Sequence, residues 1–256
     1  MGTYVISDIH GCYDEFMELL DQMRFDPEQD FLYVLGDVID RGERSMDCLR
    51  YIMDTKNVHF LLGNHEKMML DYFDDPETYG ERWHRNGSDA TLAQFDLLSE
   101  NKRDKVLAYL RERPLYKTIE VNGRCYFLSH AGLNATLPFI RQTSDDLTWS
   151  REEFYGHKGL DKHITIFGHT PTYYLRESLF SKGNSEKDSH NCSIWFDKQY
   201  GDKICIDGGC VYGGALASLR LDDGAVFYVK SSRGYRCKDY FFKPDNIPAS
   251  FYKIKA

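Results

Sequence analysis

"FLYVLGDVIDRG", residues 31–42, decides the fold class. Phe31, Leu32, Tyr33 and Val34 form an apolar run that reads as a buried strand. Leu35 and Gly36 carry the chain out of it, and three charged groups, Asp37, Asp40 and Arg41, follow at once before Gly42. A buried strand that empties into clustered charge marks an α/β sheet, whose ligands sit beyond the carboxyl ends of the strands. The pattern recurs along the chain. TYVIS (3–7) ends in Asp8-Ile9-His10, and VHFLLG (58–63) in Asn64-His65-Glu66. RCYFLS (124–129) ends in His130-Ala131-Gly132, and ITIFG (164–168) in His169-Thr170-Pro171.

Helical periodicity fills the gaps. Phe16, Leu19, Leu20 and Met23 stand at i, i+3, i+4 and i+7 in the stretch 13–23. Met46, Leu49, Ile52 and Met53 mark a second helix, and EKMMLDYF (66–73) a third. This β-α-β-α-β-α order predicts an α/β layered fold with a parallel region. Residues 74–118 are charged and helix-rich, which predicts a helical insertion over the sheet edge. KICID (203–207) is a further strand, and 215–230 a hairpin about Asp223-Gly224. The polar stretch 176–203 is expected as a long loop, and 231–256 as a basic, aromatic extension wrapping a single domain spanning 1–256.

Composition excludes several classes. Of 256 residues, 42% are hydrophobic, enough for a real core, and the net charge is -8. That acidity argues against nucleic acid or an anionic membrane as partner, while leaving room for a small phosphorylated ligand in a locally positive site. No apolar run approaches ~20 residues, so no membrane span is expected. The start MGTYVISDIHG has no basic or apolar leader, so a cytoplasmic location is expected. Seven scattered cysteines, an odd count without C-x-x-C spacing, are expected as free thiols. Cys12, beside His10, is expected to serve packing.

The residues at the strand ends form a metal-site inventory: Asp, His, Asp, Asn, His and His. Asp8 and His10 are two apart, so extended backbone would aim both at one cation. Imidazole, carboxylate and amide oxygen together suit Mn²⁺, Fe²⁺ or Zn²⁺ better than Ca²⁺. The ligands are too many for one ion. Two ions sharing one carboxylate would use them all and ionise a bridging water near neutral pH.

DIHG (8–11), GDVIDRG (36–42), GNHE (63–66), HAG (130–132) and GHTP (168–171) resemble, in order, the signature of the PPP family of metal-dependent phosphoprotein phosphatases, within the calcineurin-like metallophosphoesterase superfamily. RWHRNGSDAT (82–91), LTWSREEF (147–154) and ICIDGGCVYGGALASLRL (204–221) resemble segments of its bacterial and bacteriophage-lambda branch. The resemblance implies a β-sandwich flanked by helices and a centre of two divalent ions, Mn²⁺ before Fe²⁺ or Zn²⁺. It implies that Asp8, His10 and the bridging Asp37 hold one ion, and that Asn64, His130 and His169 hold the other. Arg41, Arg151 and Asn64 would bind the phosphate, and His65, oriented by Asp40, would protonate the leaving oxygen. The implied activity is that of a phosphomonoester hydrolase, a serine/threonine or dual-specificity protein phosphatase acting on a phosphorylated protein or a small phosphoester.

The Gly-His-x-His ending of other superfamily branches is absent here, because Thr170 and Pro171 follow His169. The rival reading is a symmetrical dinucleoside tetraphosphate hydrolase. Such enzymes tend to lack the second Asp of the second motif and to carry Asp where Glu66 stands, so Asp40 and Glu66 place the phosphatase first. A non-catalytic scaffold is set aside, because no ligand is lost. Tyr212 is expected as a core tyrosine, Trp83 and Asn86 as packing residues, and His59, His84, His157, His163 and His190 as surface or structural.

Overall fold

The computed structural model describes residues 1–180 and 191–234. Its first half follows the expected rhythm: β1 (Thr3–Ile6), α1 (Tyr13–Met23), β2 (Phe31–Val34), α2 (Ser45–Asp54), β3 (Val58–Phe60) and α3 (Asn64–Asp74). β1, β2 and β3 are parallel neighbours. Two antiparallel strands, β9 (Ala215–Arg220) and β10 (Val226–Lys230), complete this sheet in the order β10-β9-β1-β2-β3. They are the arms of the expected hairpin.

A second five-stranded sheet lies against the first. It holds β4 (Tyr116–Val121), β5 (Arg124–Ser129), β6 (His163–Phe167), β7 (Trp195–Phe196) and β8 (Lys203–Cys205), in the order β4-β5-β6-β8-β7. Side-chain parity explains the sandwich, because alternate residues of a strand point to opposite faces. Val5, Tyr33 and Leu35 face Tyr126, Leu128, Ile164, Ile166 and Ile204 in the core between the sheets. Tyr4, Ile6, Leu32 and Val34 point the other way, under Phe16, Leu19, Leu49 and Ile52 of α1 and α2. On the far side, Phe127, Phe167 and Cys205 pack against Leu147, Phe154 and Leu175. These belong to α7 (Ser144–Thr148), α8 (Glu152–Tyr155) and α9 (Thr172–Phe180). The result is a helix–sheet–sheet–helix sandwich, the expected fold class.

The insertion consists of α4 (Pro76–Arg85), α5 (Asp89–Asp96) and α6 (Glu100–Arg111). It stops short of 118, because β4 begins at Tyr116. β4 is a largely exposed edge strand, so it carries no apolar alternation to betray it. The loop expected over 176–203 also needs correction. α9 runs to Phe180, β7 forms at Trp195, and Lys203 already opens β8. Arg176 anchors the return of the chain, its guanidinium donating to the carbonyls of Asn191, Ser193 and Ile194. Residues 181–190 and, in the extension, 235–256 lie outside the described residues, as does the expectation for His190. Among the described residues five cysteines are free as expected, but Cys192 is disulfide-bonded, which the sequence spacing did not betray. No described helix is long and apolar enough to cross a membrane.

Candidate active site

The carboxyl ends of β1, β2, β3, β5 and β6 converge on one rim, and each releases a site residue there. Backbone ties hold the loops in register. Asp8 N–H donates to Gly36 C=O at 3.2 Å, His10 N–H to Asp37 C=O at 2.9 Å, and Gly168 N–H to His130 C=O at 2.8 Å. The turns are sharp. Asp8, His10, Asp37, Asp40, Arg41 and His169 all have positive φ, between 45° and 72°. Such values are uncommon for residues with a side chain, and they cluster where surrounding contacts over-determine the backbone. The extended backbone expected through Asp8 and His10 is therefore corrected: the strand has ended by Ile6. Gly36 has φ +83°, and a Cβ there would sit 2.5 Å from Gly63 Cα, so only glycine lets the second and third loops touch.

Asp37 occupies the centre. Its Oδ2 lies 3.5 Å from His10 Nε2, 3.4 Å from His130 Nε2 and 3.9 Å from His65 Nε2. On one side, His130 Nε2 and His169 Nδ1 are 3.2 Å apart and stand 2.8 and 3.0 Å from Asn64 Oδ1. Two buried groups of convergent ligand atoms result, His10–Asp37–His65 and Asp37–His130–His169, with Asp37 common to both. Asp8 lines the same cavity, its Oδ2 accepting the His169 N–H at 3.0 Å.

The electrostatics suit cations. Burial, and next the Arg41 guanidinium, hold His10 well below the usual imidazole range. Burial and His130 do the same to His169. Both rings thus offer neutral lone pairs, and the buried His169 Nε2 has no hydrogen-bond partner among the described residues. Burial opposes a charge on His130, but the adjacent Asp37 carboxylate overrides it and pushes the ring up to about 9. Burial likewise opposes charge on Asp37, yet His130 and His65 hold it well below the carboxylate range. A divalent cation would take the place of the His130 proton. The donor set and its convergence therefore fit a pair of first-row divalent ions.

On the substrate side, Asp40 Oδ2 accepts His65 Nδ1–H at 2.6 Å, which leaves Nε2 turned toward Asp37. Arg41 Nη1 donates to His10 Nε2 at 2.5 Å, at one end of the row of ligands. Arg151 stands at the other end, donating to Thr170 beside His169 at 2.6 Å. Both arginines line a cavity of about 280 Å³ with Asp8, His10, Asp37, Asn64 and His169.

A model of the calcineurin-like phosphoesterase family matches residues 1–217 of this sequence. The chain belongs to that family. A symmetrical bis(5'-nucleosyl)-tetraphosphatase of Salmonella arizonae is 37% identical, over 91% of this chain and 96% of its own length. Serine/threonine-protein phosphatase 2 of Salmonella typhimurium is 30% identical, over 71% of this chain and 89% of its own. A solved structure provisionally described as a diadenosine tetraphosphatase superposes with a TM-score of 0.61, at 23% identity over 91% of this chain and 95% of that one, and shows the shared fold. The phosphoesterase is accordingly a hydrolase of the metallophosphoesterase superfamily, whose site is a binuclear divalent metal centre.

Several side chains in this phosphoesterase do work that the sequence reading missed. Glu66 is fully buried. Its Oε1 accepts N–H from Val38 and Ile39, and its Oε2 from Asp37 and Gly63, at 2.8–3.2 Å. Burial and Asp37 push it up to about 7, although each oxygen already faces two N–H donors and leaves no room for an acid proton. Asp207 lines the cavity, raised well above the carboxylate range by burial and by Asp8. Tyr212, expected in the core, is 46% exposed and lines the cavity with the Arg41 guanidinium over its ring. Asn86 also reaches the cavity wall. Trp83 is buried as expected, but its indole N–H donates to Asp40 Oδ2 at 2.7 Å. Cys12 packs in the core under α1. The roles of Glu66, Asp207, Tyr212 and Trp83 escape a local reading, because each depends on residues far along the chain.

Proposed function

We propose that this phosphoesterase hydrolyses a small phosphoanhydride of the dinucleoside polyphosphate class, cutting the tetraphosphate bridge symmetrically. The carrying observation is the cavity itself. Arginines stand at both ends of the ligand row, and the half-exposed rings of Tyr174 and Tyr212 line its wall with Trp149. A polyphosphate needs cations on either side of the phosphorus attacked, and nucleobases gain about 1–3 kcal/mol each by stacking on aromatic faces. The near full-length similarity to a symmetrical tetraphosphatase supports the same reading. This reverses the order that Asp40 and Glu66 alone suggested.

Asp8, His10 and Asp37 would hold one ion, and Asp37, Asn64, His130 and His169 the other. Bound there, two divalent ions supply Lewis acidity to the phosphoryl oxygens and lower the pKa of a water toward neutrality. Arg41 and Arg151 orient the phosphate for in-line attack and neutralise its nonbridging oxygens. As the P–O bond breaks, its electron pair stays on the departing oxygen. His65 Nε2 gives that oxygen its proton, and the neutral ring keeps its Nδ1–H on Asp40.

The Asp40–His65 pair favours a second reading, phosphomonoester hydrolysis on a protein or small molecule, because an alkoxide needs protonation more than a nucleoside diphosphate does. A kinetic panel with Mn²⁺ separates the two. Diadenosine tetraphosphate should exceed both a phosphoserine peptide and p-nitrophenyl phosphate in kcat/KM by at least about 100-fold, with ADP as the nucleotide product. A preference for the peptide would overturn the first reading in favour of the second.

A further inference from the structure

We propose that residues 83–91 of the helical insertion are a positioning device for the Asp40–Arg41 turn, with Trp83 as the positioning residue that acts on the proton donor His65. This rests on the reading of His65 given above. The turn is two consecutive side-chain-bearing residues with φ of 72° and 66°, a conformation that needs support from outside the local backbone. Much of that support comes from one segment. Arg41 N–H donates to Gly87 C=O at 2.8 Å. Asp40 N–H is shared between Thr91 Oγ1 at 2.8 Å and Ser45 Oγ at 3.0 Å, and Thr91 Oγ1 in turn donates to Ser45 Oγ. Trp83 Nε1–H donates to Asp40 Oδ2, the same oxygen that accepts His65 Nδ1–H. Trp83, Thr91, Asp40 and His65 are all fully buried.

Asp40 Oδ1 has no partner among the described residues. Among the described residues, the indole is thus the hydrogen-bond donor that, with packing, sets which carboxylate oxygen meets His65 and at what angle. Without it, the carboxylate can turn, the ring of His65 loses its anchor, and Nε2 is no longer held toward Asp37. The segment also borders the cavity, and Arg82 adjoins the segment. Asn86 lines the cavity, and Arg82 lies over the Trp149 ring at 4.6 Å. Insertion, proton donor and phosphate arginine thus form one mechanical unit. Sequence-level spacing cannot reveal it, because Trp83 and Asp40 are 43 residues apart.

The test compares Trp83→Phe with His65→Asn in the full Mn²⁺-loaded chain, on an alkyl phosphate and on p-nitrophenyl phosphate, whose good leaving group needs little protonation. Trp83→Phe should lower kcat on the alkyl ester by about 10–100-fold and on the nitrophenyl ester by less than about threefold, with KM unchanged. His65→Asn should show the same selectivity more strongly. A selective His65→Asn beside an unselective Trp83→Phe overturns the role of Trp83 alone. A His65→Asn loss equal on both esters removes the acid, and both proposals fall. A merely structural tryptophan would slow both esters alike. If Trp83→Phe does not fold, Thr91→Val takes its place. It should be selective in the same sense, with Thr91→Ser restoring the rate, and failure of that rescue would likewise overturn the proposal.

Discussion

Gly168→Ala should damage one metal position without touching any ligand covalently. A Cβ at Gly168 would lie 2.1 Å from Asp8 Oδ2 and 2.2 Å from Ser7 Oγ, where ordinary contact begins near 3.4 Å. Asp8 Oδ2 must therefore retreat by about 1.3 Å and Ser7 Oγ by about 1.2 Å. Metal–ligand distances tolerate about 0.2 Å, so a retreat of this size removes Asp8 from coordination. Loss of a ligand or its support costs at least about 10–100-fold in affinity, or about 1.4–2.7 kcal/mol. The His169 N–H that Asp8 accepts is also released, yet His169 keeps Asn64 and His130 as neighbours. Titration calorimetry of chelator-stripped protein with Mn²⁺ should then show two sites in the parent. In the variant, one should be weakened by that factor and one nearly unchanged. Two sites within twofold of the parent would refute the placement of Asp8 as a ligand. Equal weakening of both would refute the division of ligands around Asp37.

In the metal-free protein His130 sits near 9 against an ordinary 6.5, so its pairing with Asp37 stabilises fully below about pH 6.5 and is lost as pH rises through about 9. The unfolding free energy of chelator-treated protein, read from urea denaturation, should fall across that window by at most about 3 kcal/mol, while that of metal-loaded protein stays flat; equal profiles would contradict the pairing. Lys203 is fully buried with Asp197 at 2.9 Å and Asp202 at 2.5 Å, so Lys203→Met strands two buried carboxylates. It should cost about 3–5 kcal/mol by urea denaturation, and a change under about 1 kcal/mol would mean the cluster is hydrated. Arg151→Lys loses the forked grip and should lower kcat/KM about 10–100-fold, chiefly through KM; an unchanged KM would remove Arg151 from substrate binding.

The relation of Glu66 to Asp37 shows how far local reading reaches. GNHE is visible as a motif, and within it Glu66 serves only to separate two related families. Its actual work, taking four amide N–H groups from two loops, depends on β2 and β3 lying side by side. Asp40 is similar. The sequence suggests a carboxylate for His65, whereas its second partner arrives from an insertion that composition marks only as helical and charged.

By itself the sequence determined the alternation of strands and helices, because burial on two faces writes itself as continuous apolar runs and amphipathic periods. It also determined which residues stand at the strand ends, because each motif is contiguous with the strand that delivers it. Only the tertiary structure decided how closely His10, His65, His130 and His169 gather about Asp37, that Asp8 and His10 meet the site through left-handed turns rather than extended backbone, and that Trp83, Glu66, Asp207 and Tyr212 border it. Local propensity depends on neighbours in the chain. A site depends on distances between loops that the packing of two sheets brings together, and no window of sequence contains those distances.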